Sequence, residues 1–402
     1  MHIRFFNTFE PVVPLYKSVF PQCKKKGFQC VALMSQGIYK EIGDEKDSFL
    51  HEYAEFIYVP SFFRKNKRWC VLFYWLLAPL KLILSRSDLN VFLTQPPLFF
   101  ILGSAISKLK KTPYIIHLMD MYPDILVPMG FITNRSIIYS FLSRLAARSL
   151  KGSDGVFVLG RCMKNNIIEK GINPSKISIF HNWANENIYP IQNRNNQFRK
   201  IHNLENKFII MYSGNMGIAH ELETILKVAE RVRQFSDMIF VFIGSGVRKS
   251  LIEKAIARGG SNLLLLDYQP LNLLPHSLSA ADVHFMSLID GFEGLMVPSK
   301  FYGALASGRP ILFEGNKTSE VALAINEIGC GRVIMHGDVN GLHESVMYYR
   351  NSPNPYDDGV RAWNAHQNQY RAEFSTELYV DTVIKILRDS TKAHKEMLWK
   401  SN

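Results

Sequence analysis

The clearest chemical signal in this sequence is a serine and a lysine at the start of a short helix that follows an apolar strand. The stretch Asp282–Phe313, DVHFMSLIDGFEGLMVPSKFYGALASGRPILF, predicts a strand, a glycine-containing loop, a helix opened by Pro298 and Ser299, and a second strand. A helix N-terminus in such a βαβ unit points to the carboxyl edge of the sheet, so Ser299 and Lys300 are expected to face a ligand there. These groups favour an anion, and a phosphate is the first candidate.

Two further glycine turns are predicted at the same edge of that sheet. Met211-Tyr-Ser-Gly-Asn-Met-Gly217 leaves a strand and enters a helix, and Ile243-Gly-Ser-Gly246 follows the next strand. Glycine lets backbone amides come close to a ligand, and nearby polar side chains add contacts. The ligand-binding residues predicted from the two turns are Ser213, Gly214, Asn215, Gly217, Gly244 and Arg248. Neither turn matches G-x-x-x-x-G-K-[ST], and no G-x-G-x-x-G follows the first strand, which argues against a P-loop NTPase and an ordinary dinucleotide dehydrogenase.

A histidine and an aspartate follow an apolar strand in the first half of the chain. His117 and Asp120 come directly after Tyr114–Ile116, where α/β proteins collect functional groups. They could accept a proton or orient a hydroxyl group. The alternative is a structural loop, in which the aspartate caps a helix and the histidine is simply packed.

The elements that would position these residues alternate between strand and helix along the whole chain. Twelve strands are predicted, and these are Ile3–Phe6, Gln29–Met34, Asn90–Leu93, Tyr114–His117, Gly155–Leu159, Ile177–Phe180, Phe208–Tyr212, Met238–Ile243, Leu263–Leu266, Val283–Met286, Ile311–Phe313 and Gly331–Ile334. The alternation implies two successive wound α/β sheets. The polar, asparagine-rich stretch Tyr189–Phe198 fits a linker, so we expect domains at 1–189 and 190–365 and a C-terminal helical segment at 366–402.

Length, charge and cysteine content limit the kinds of protein that this chain can be. The chain has 402 residues and 47% hydrophobic content, enough for two or three globular domains. Its net charge of +12 would attract nucleic acid, acidic lipid or phosphorylated small molecules alike. The five cysteines are scattered without a C-x-x-C pair, which predicts neither a disulfide framework nor a zinc site and favours a reducing compartment. The N-terminus does not have a signal-peptide pattern, so a cytoplasmic location is expected.

The most apolar segment, Trp69–Leu84, contains Pro79 and Lys81 and is too short to span a bilayer. The basic residues Arg64, Lys65, Lys67 and Arg68 precede it. A basic cluster beside an aromatic-rich apolar helix is typical of a segment that lies in an anionic membrane interface. A buried helix with a solvated flank is the equally open alternative.

Several of these motifs together resemble the family-4 nucleotide-sugar glycosyltransferases, over nearly the whole chain. The resemblance is to the bacterial fucosaminyltransferase-like and colanic-acid-type subgroup. The matching segments are Thr94-Gln-Pro-Pro97, Asp120-Met-Tyr-Pro-Asp124, Phe180-His-Asn-Trp-Ala184, Tyr212-Ser-Gly-Asn-Met-Gly217 with Ala219-His220, Asp282-Val-His284 and, most specific, Glu293-Gly-Leu-Met-Val-Pro-Ser-Lys-Phe-Tyr-Gly303 with Ala306-Ser-Gly-Arg-Pro310.

The resemblance implies the GT-B fold, in which two Rossmann-like domains face a central cleft and the C-terminal helices pack back on the N-terminal domain. It implies a metal-independent, retaining transfer of a sugar from a nucleotide donor, UDP-linked by expectation, with no cofactor. The expected partners are this donor, a polyprenyl-diphosphate-linked glycan and an anionic membrane, and not nucleic acid. The expected place is the inner face of the cytoplasmic membrane, in the synthesis of surface polysaccharides.

The residues of this sequence depart from the general family pattern at one place. Many family-4 members carry two glutamates eight positions apart, where this chain has Leu295 and Gly303; the subgroup that it resembles usually shows the same tyrosine-glycine pair. Glu293 and Glu320 therefore become the candidates for contact with the ribose or the donor sugar, and Tyr302 joins the donor-binding set. The family's phosphate-binding arginine after the first glycine turn is also replaced, by Asn215 and Met216.

Two other functions fit the same architecture. A sugar-nucleotide epimerase would need no lipid contact, and hence no basic and apolar segment near residues 64–84. A catalytically silent nucleotide- or glycan-binding partner would agree with the missing glutamate pair.

Overall fold

A computed structural model describes residues 1–7, 13–35, 51–59, 67–352, 354 and 356–400. These residues form two compact units. Unit 1 contains Met1–His181, Gly294–Met296 and Glu373–Asn402, and unit 2 contains Asn182–Glu293 and Val297–Ala372.

Unit 1 is a seven-stranded parallel sheet with helices. Its strands are β1 (His2–Phe6), β2 (Gln29–Ser35), β3 (Ala54–Val59), β4 (Leu89–Leu93), β5 (Tyr114–His117), β6 (Gly155–Val158) and β7 (Ile177–Ile179). Its helices are α1 (Val13–Lys25), α2 (Lys67–Leu84), α3 (Phe99–Leu109), α4 (Ile137–Lys151) and α5 (Arg161–Glu169). The strand order β3-β2-β1-β4-β5-β6-β7 reverses direction between β1 and β4, as in Rossmann-like sheets.

Unit 2 repeats this plan with six parallel strands. These are β8 (Phe208–Ser213), β9 (Met238–Ile243), β10 (Leu263–Leu266), β11 (Val283–Ser287), β12 (Ile311–Glu314) and β13 (Gly331–Ile334). The helices in chain order are α6 (Gln197–Ile201), α7 (Glu223–Arg231), α8 (Lys249–Ala257), α9 (Leu274–Ser279), α10 (Lys300–Ala306), α11 (Glu320–Ile328), α12 (Val339–Asn351) and α13 (Asp357–Gln369), and α14 (Ala372–Lys400) ends the chain. The strand order is β10-β9-β8-β11-β12-β13, so the topological switch point lies between β8 and β11.

The predicted fold class is confirmed, and every strand predicted from the sequence is present. The structure adds β3, which lies at the edge of the first sheet. An edge strand is covered on fewer sides than a central strand, and β3 accordingly carries Glu55 and has only partly buried side chains in its middle. The near-continuous apolar run that marks the central strands is therefore weaker there.

Tyr189–Phe198, for which the sequence predicts a linker, belongs to unit 2, which begins at Asn182 and not near residue 190. The segment packs through buried polar contacts, in which Arg309 donates to the Ile191 carbonyl at 2.8 Å and the Asn193 amide donates to Asp282 at 3.2 Å. Gln192, Asn195 and Gln197 are exposed, as polar composition predicts, but Asn193 and Asn196 bind polar groups of the unit.

The C-terminal helix α14 packs on the first sheet, as the GT-B resemblance implies. The ring of Tyr379 on α14 lies 4.5 Å from the ring of Phe157 on β6 and 4.8 Å from that of Phe180, centroid to centroid. Tyr379, Val380 and Val383 are fully buried or nearly so. The last helix of the chain therefore completes the core of unit 1.

The apolar helix α2 has two different faces. Its inner face is formed by the fully buried Cys70, Tyr74, Ala78 and Leu82, at helical spacing. Its outer face carries exposed apolar side chains, and these are Trp69, Leu72, Leu76, Leu80, Ile83 and Leu84. The helix is therefore buried on one face and exposes apolar side chains on the other. Arg64 and Lys65 lie outside the described residues, as do the side chains of Lys67 and Arg68.

None of the described helices is long and apolar enough to cross a bilayer.

Candidate functional site

The predicted ligand-binding residues of the second half lie at the carboxyl edge of the sheet of unit 2. Strands β8 and β11 are neighbours, and they end at Ser213 and Ser287. The loops that follow them begin on either side of the switch point, where open α/β sheets form a crevice for ligands. The turn from Gly214 to Leu222 and the start of the loop after β11 are thereby brought together, and the Ile289 amide donates to the Ala219 carbonyl at 2.9 Å.

The side chain of Lys300, the first residue of α10, connects these two loops. Its Nζ atom donates to Tyr212 Oη at 2.6 Å and to the Asn215 carbonyl at 3.2 Å. The ammonium group also lies 4.3 Å from the centre of the Tyr212 ring, within cation–π range. Tyr212 Oη donates in turn to the Asn215 carbonyl at 2.7 Å. The lysine predicted from sequence is thus held against the first glycine turn.

Burial sets the protonation state of this lysine. Lys300 is only partly exposed, and the loss of solvation lowers the pKa of its ammonium group to about 7. A bound polyanion would favour the charged ammonium group and raise the pKa again. Lys300 can therefore respond to the charge of a ligand near neutral pH.

The two glycine turns are joined backbone to backbone. The Met216 amide donates to the Ser245 carbonyl at 2.8 Å, and the Arg248 amide donates to the Met216 carbonyl at 3.0 Å. Gly244 has a φ of 132°, and a Cβ atom there would lie 2.2 Å from the Gly214 carbonyl oxygen. Glycine at this position is therefore required for the close approach of the turns, which is a structural reason independent of any ligand.

Two basic side chains surround the turn beside Lys300. Arg248 is about a quarter exposed and lies across the turn, where its guanidinium donates to the Ile218 carbonyl at 3.3 Å and approaches Glu221 Oε2 at 3.9 Å. His220 is buried, with Nδ1 at 2.7 Å from the Ser287 carbonyl. A carbonyl only accepts, so Nδ1 carries the proton in this bond. Burial and the nearby Lys300 charge lower the pKa of His220 to about 3, so the imidazole is neutral.

Sequence reasoning left His220 and Tyr212 out of the candidate residues, and it missed Glu314 entirely. Glu314 ends β12 and is fully buried; its Oε1 accepts from Thr224 Oγ1 at 2.7 Å and from the Gly337 amide at 2.8 Å. Burial raises the pKa of this carboxyl group. A charged residue at the end of an apolar strand was the signal that could have found it. Glu314 ties the first turn of α7 to the segment after β13.

Of the remaining predicted residues of unit 2, some are accessible at the sheet edge, and Tyr302 and Glu320 are buried. Ser213, Gly217 and Ser299 lie at the sheet edge with at least part of their surface accessible, and Glu293 accepts from the Gly291 amide at 2.7 Å. Tyr302 lies in the interior, where its ring packs on Phe301 and Tyr370, and burial raises its pKa. Glu320 is the first residue of α11 and is 7% exposed. We therefore do not carry Tyr302 into the candidate site.

In unit 1, Asp120 is presented by a loop that is fixed to the neighbouring strand. The backbone amides of Met119 and Asp120 both donate to Thr94 Oγ1, each at 3.1 Å, just after β4. The Asp120 side chain is partly exposed at the carboxyl edge of the sheet, and desolvation raises its pKa to about 6. A carboxyl group with this pKa can exchange a proton near neutral pH.

His117 is not presented in this way. The side chain is fully buried, and its ring lies 5.3 Å from that of Phe180 and 5.8 Å from those of Phe157 and Tyr379. Within the described part of the chain, neither ring nitrogen has a hydrogen-bond partner, and burial lowers the pKa of His117 to about 3. A neutral ring inside an aromatic cluster does not reach a substrate, so the structure favours the packing alternative for His117.

Comparison with known proteins gives related sequences and related folds. No family model matches the chain. WbjE of Pseudomonas aeruginosa, named as a probable glycosyltransferase, is 30% identical over 252 residues, which are 61% of this chain and 62% of WbjE. WcaI of Escherichia coli (strain K12), named as a colanic acid biosynthesis glycosyl transferase, is 28% identical over 226 residues, 53% of this chain and 54% of WcaI. The match thus spans between half and two thirds of either relative.

Solved structures agree with the chain over almost its full length. Anabaena Alr3699/HepE in complex with UDP and glucose has a TM-score of 0.72 at 13% identity, covering 96% of this chain and 100% of HepE. WaaG, a glycosyltransferase involved in lipopolysaccharide biosynthesis, has a TM-score of 0.67 at 14% identity, with coverage of 94% and 98%. At such identities these likenesses concern the fold alone, and they confirm that the two Rossmann-like units make a GT-B fold.

Proposed function

We propose that this protein is a glycosyltransferase of the retaining, metal-independent family-4 type. It would transfer a sugar from a nucleotide-sugar donor, UDP-linked, to a lipid-linked glycan acceptor in the synthesis of a bacterial surface polysaccharide. The observation that carries the proposal is the Lys300 side chain bound across the first glycine turn at the switch point of unit 2. The names of the sequence relatives and the UDP and glucose in the HepE complex support it.

In this proposal, unit 2 binds the donor and stabilises its leaving group. Breaking the bond between the sugar and the diphosphate places negative charge on the diphosphate. Lys300 and Arg248, which both lie at the first glycine turn, would neutralise that charge. The neutral His220 donates its Nδ1 proton to the Ser287 carbonyl, so its Nε2 atom would accept a hydrogen bond, as from a hydroxyl group of the donor, without adding charge. Glu293 and Glu320 are the carboxylates proposed to bind hydroxyl groups of the ribose or the sugar.

Unit 1 would supply the acceptor-side chemistry through Asp120. A partly exposed carboxylate can orient the acceptor hydroxyl or accept its proton. Asp120 lies at the carboxyl edge of its own sheet and is fixed by Thr94, so its position is preorganised. We assign this role to Asp120 and a packing role to His117.

The proposed place of action is the inner face of the cytoplasmic membrane, where α2 would contact anionic lipid. The exposed apolar face of α2 and the basic cluster that precedes it in sequence support this contact. A lipid-linked acceptor is confined to the bilayer surface. A transferase bound to the same surface would therefore encounter it by lateral diffusion in the plane of the membrane. Binding is expected to be reversible and sensitive to salt.

The test is turnover of a panel of nucleotide sugars in the presence and absence of a polyprenyl-diphosphate-linked acceptor. Transfer to the lipid-linked acceptor, lost in Lys300→Ala, is the expected result. Conversion of the donor sugar without acceptor would indicate an epimerase, and binding without turnover would indicate a silent partner. A thermal-shift screen identifies the donor beforehand, since a ligand at 100 times its Kd stabilises the native state by about 2.7 kcal/mol.

A further inference from the structure

A second exposed apolar surface lies on unit 1, at the amino end of α4. It is formed by Phe131, Ile137, Ile138 and Phe141, which are 66%, 87%, 64% and 58% exposed. We name these residues the α4 patch. Large apolar side chains on a protein surface are common singly, but three within the first five residues of a helix, with a fourth shortly before it in the sequence, favour an interaction surface.

We propose that the α4 patch inserts into the membrane interface and brings the Asp120 loop to the level of the lipid headgroups. This inference rests on the proposed function, because it explains how an acceptor-side residue meets a lipid-linked substrate. It concerns a different surface from the basic and apolar segment of residues 64–84.

The charge around the patch selects lipid as the occupant. The stretch from Ile125 to Ser153 contains no aspartate or glutamate. The basic residues in it, all exposed, are Arg135, Arg144, Arg148 and Lys151. Ile137, Phe141, Arg144 and Arg148 follow each other at helical spacing, so apolar and then basic side chains lie along one face. Such a face fits hydrocarbon at one end and anionic headgroups at the other.

The patch is held rigidly to the body of unit 1. Ser149 on α4 and Ser104 on α3 share a hydrogen bond of 2.8 Å, and Tyr114 Oη donates to the Ser149 carbonyl at 2.8 Å. Ser136 caps the helix by accepting from the Tyr139 amide at 3.1 Å. A rigid attachment means that insertion of the patch would fix the orientation of the whole unit.

One contact links the patch to the Asp120 loop. Tyr139, next to Ile138, donates through its hydroxyl group to Asp124 at 2.8 Å, and Lys170 binds the same carboxylate oxygen at 2.7 Å. Asp124 ends the segment that begins at Asp120. The depth of the patch in the bilayer therefore sets the height of Asp120 above it.

The position of α4 also agrees with the position of α2. Both helices pack against α3, so the three belong to one layer on the same face of the sheet. Both run from the carboxyl edge of the sheet, because each follows a strand that ends there and leads to the start of the next. Trp69 at the start of α2 and Ile137 at the start of α4 thus lie toward the same edge as Asp120.

The direct test is the environment of a fluorophore on the patch. Ile138→Cys is labelled with an environment-sensitive dye in a Cys162→Ala background, since the other four cysteines are buried. Vesicles of phosphatidylglycerol mixed with phosphatidylcholine should shift the emission to the blue and protect the dye from an aqueous quencher. The same dye at Val360→Cys, on an exposed site of unit 2, should not respond. No response at position 138, or an equal response at position 360, overturns the proposal.

A second measurement uses sedimentation with the same vesicles. Ile137→Ser/Ile138→Ser/Phe141→Ser should weaken binding about tenfold or more, the effect of removing apolar contacts with the interface. The matched control is Ile256→Ser/Leu271→Ser/Val360→Ser, which replaces three exposed apolar residues of unit 2 and should bind as the wild type does. Equal loss in both triple variants contradicts the proposal.

Donor binding separates this inference from the proposed function. The triple variant Ile137→Ser/Ile138→Ser/Phe141→Ser should bind UDP with the wild-type affinity when no vesicles are present. If the α4 patch inserts into vesicles but neither wild type nor variant turns over a nucleotide sugar, membrane insertion is supported and the proposed transferase activity is overturned. If wild type and variant transfer sugar equally to a vesicle-bound acceptor, the function stands and this inference fails.

Discussion

Lys300 Nζ and Tyr212 Oη are 2.6 Å apart, so a lysine that follows the β11 loop is bound to a tyrosine of β8. The two strands are neighbours in the sheet but lie far apart in the sequence. The contact places a titratable cation against the first glycine turn at the switch point of unit 2.

Replacement of Lys300 by alanine should weaken binding of a nucleoside diphosphate at least tenfold, or about 1.4 kcal/mol, because the diphosphate loses a charged donor. Isothermal calorimetry with UDP measures the change. Lys254→Ala, which removes an exposed lysine of α8, is the control and should bind normally. Equal affinity of Lys300→Ala and wild type would remove Lys300 from the site.

Binding of the diphosphate should take up protons near neutral pH. The pKa of Lys300 is lowered to about 7 in the free protein, so above pH 7 most of the amine is neutral and must gain a proton to bind the anion. Affinity should therefore fall as the pH rises from 6 to 8, and the uptake should grow over this range. Calorimetry in buffers of different ionisation enthalpy measures it. Proton uptake that persists in Lys300→Ala would assign the effect to another group.

Asp120→Asn should reduce transfer about 100-fold or more, the usual contribution of a positioned acid or base, and should leave UDP affinity nearly unchanged. The pKa of Asp120 is raised to about 6, so the wild-type rate should fall as the pH drops through 6 and the carboxylate is protonated. His117→Phe is the companion variant. Its side chain is buried among aromatic rings, so it should keep most of the activity. A full loss in His117→Phe with normal folding would restore the histidine as the acceptor-side group.

Asp282→Ala should destabilise unit 2 by about 3 to 5 kcal/mol, because it leaves the buried Arg199 guanidinium without its ion-pair partner. The two groups meet at 2.7 Å with side chains that are 1% and 7% exposed. Asp237→Ala, which breaks a half-exposed pair with Arg350, should cost less than about 1 kcal/mol. Urea denaturation compares the two. Similar values for both variants would show that burial of the pair does not decide its contribution.

Serine in place of Arg64, Lys65, Lys67 and Arg68 should reduce sedimentation with anionic liposomes, as should added salt. Each basic residue near the surface contributes about 1 kcal/mol to the attraction. Serine in place of Arg231, Arg233, Lys254 and Arg258 removes the same charge from unit 2 and should have little effect. If the wild-type protein binds neutral liposomes as well as it binds anionic liposomes, the attachment is not electrostatic.

The sequence by itself determined the architecture and most of the residues at the sheet edge of unit 2. Central parallel strands are buried on both faces, so β8, β9 and β12 appear as short apolar runs between polar turns, and their ends are fixed by local composition. The glycine turns and Lys300 were found for the same local reason, since turn geometry and helix starts require particular residues.

Only the tertiary structure decided what these residues touch. Gly244 is explained by the Gly214 carbonyl beside it, and His117 lies under Tyr379, a residue from the far end of the chain. The exposed face of α2 could not be read from its sequence, because both faces are apolar and only the packing shows which of them is covered. Contacts between distant segments depend on how the sheets bring them together, and periodicity along the chain does not record that.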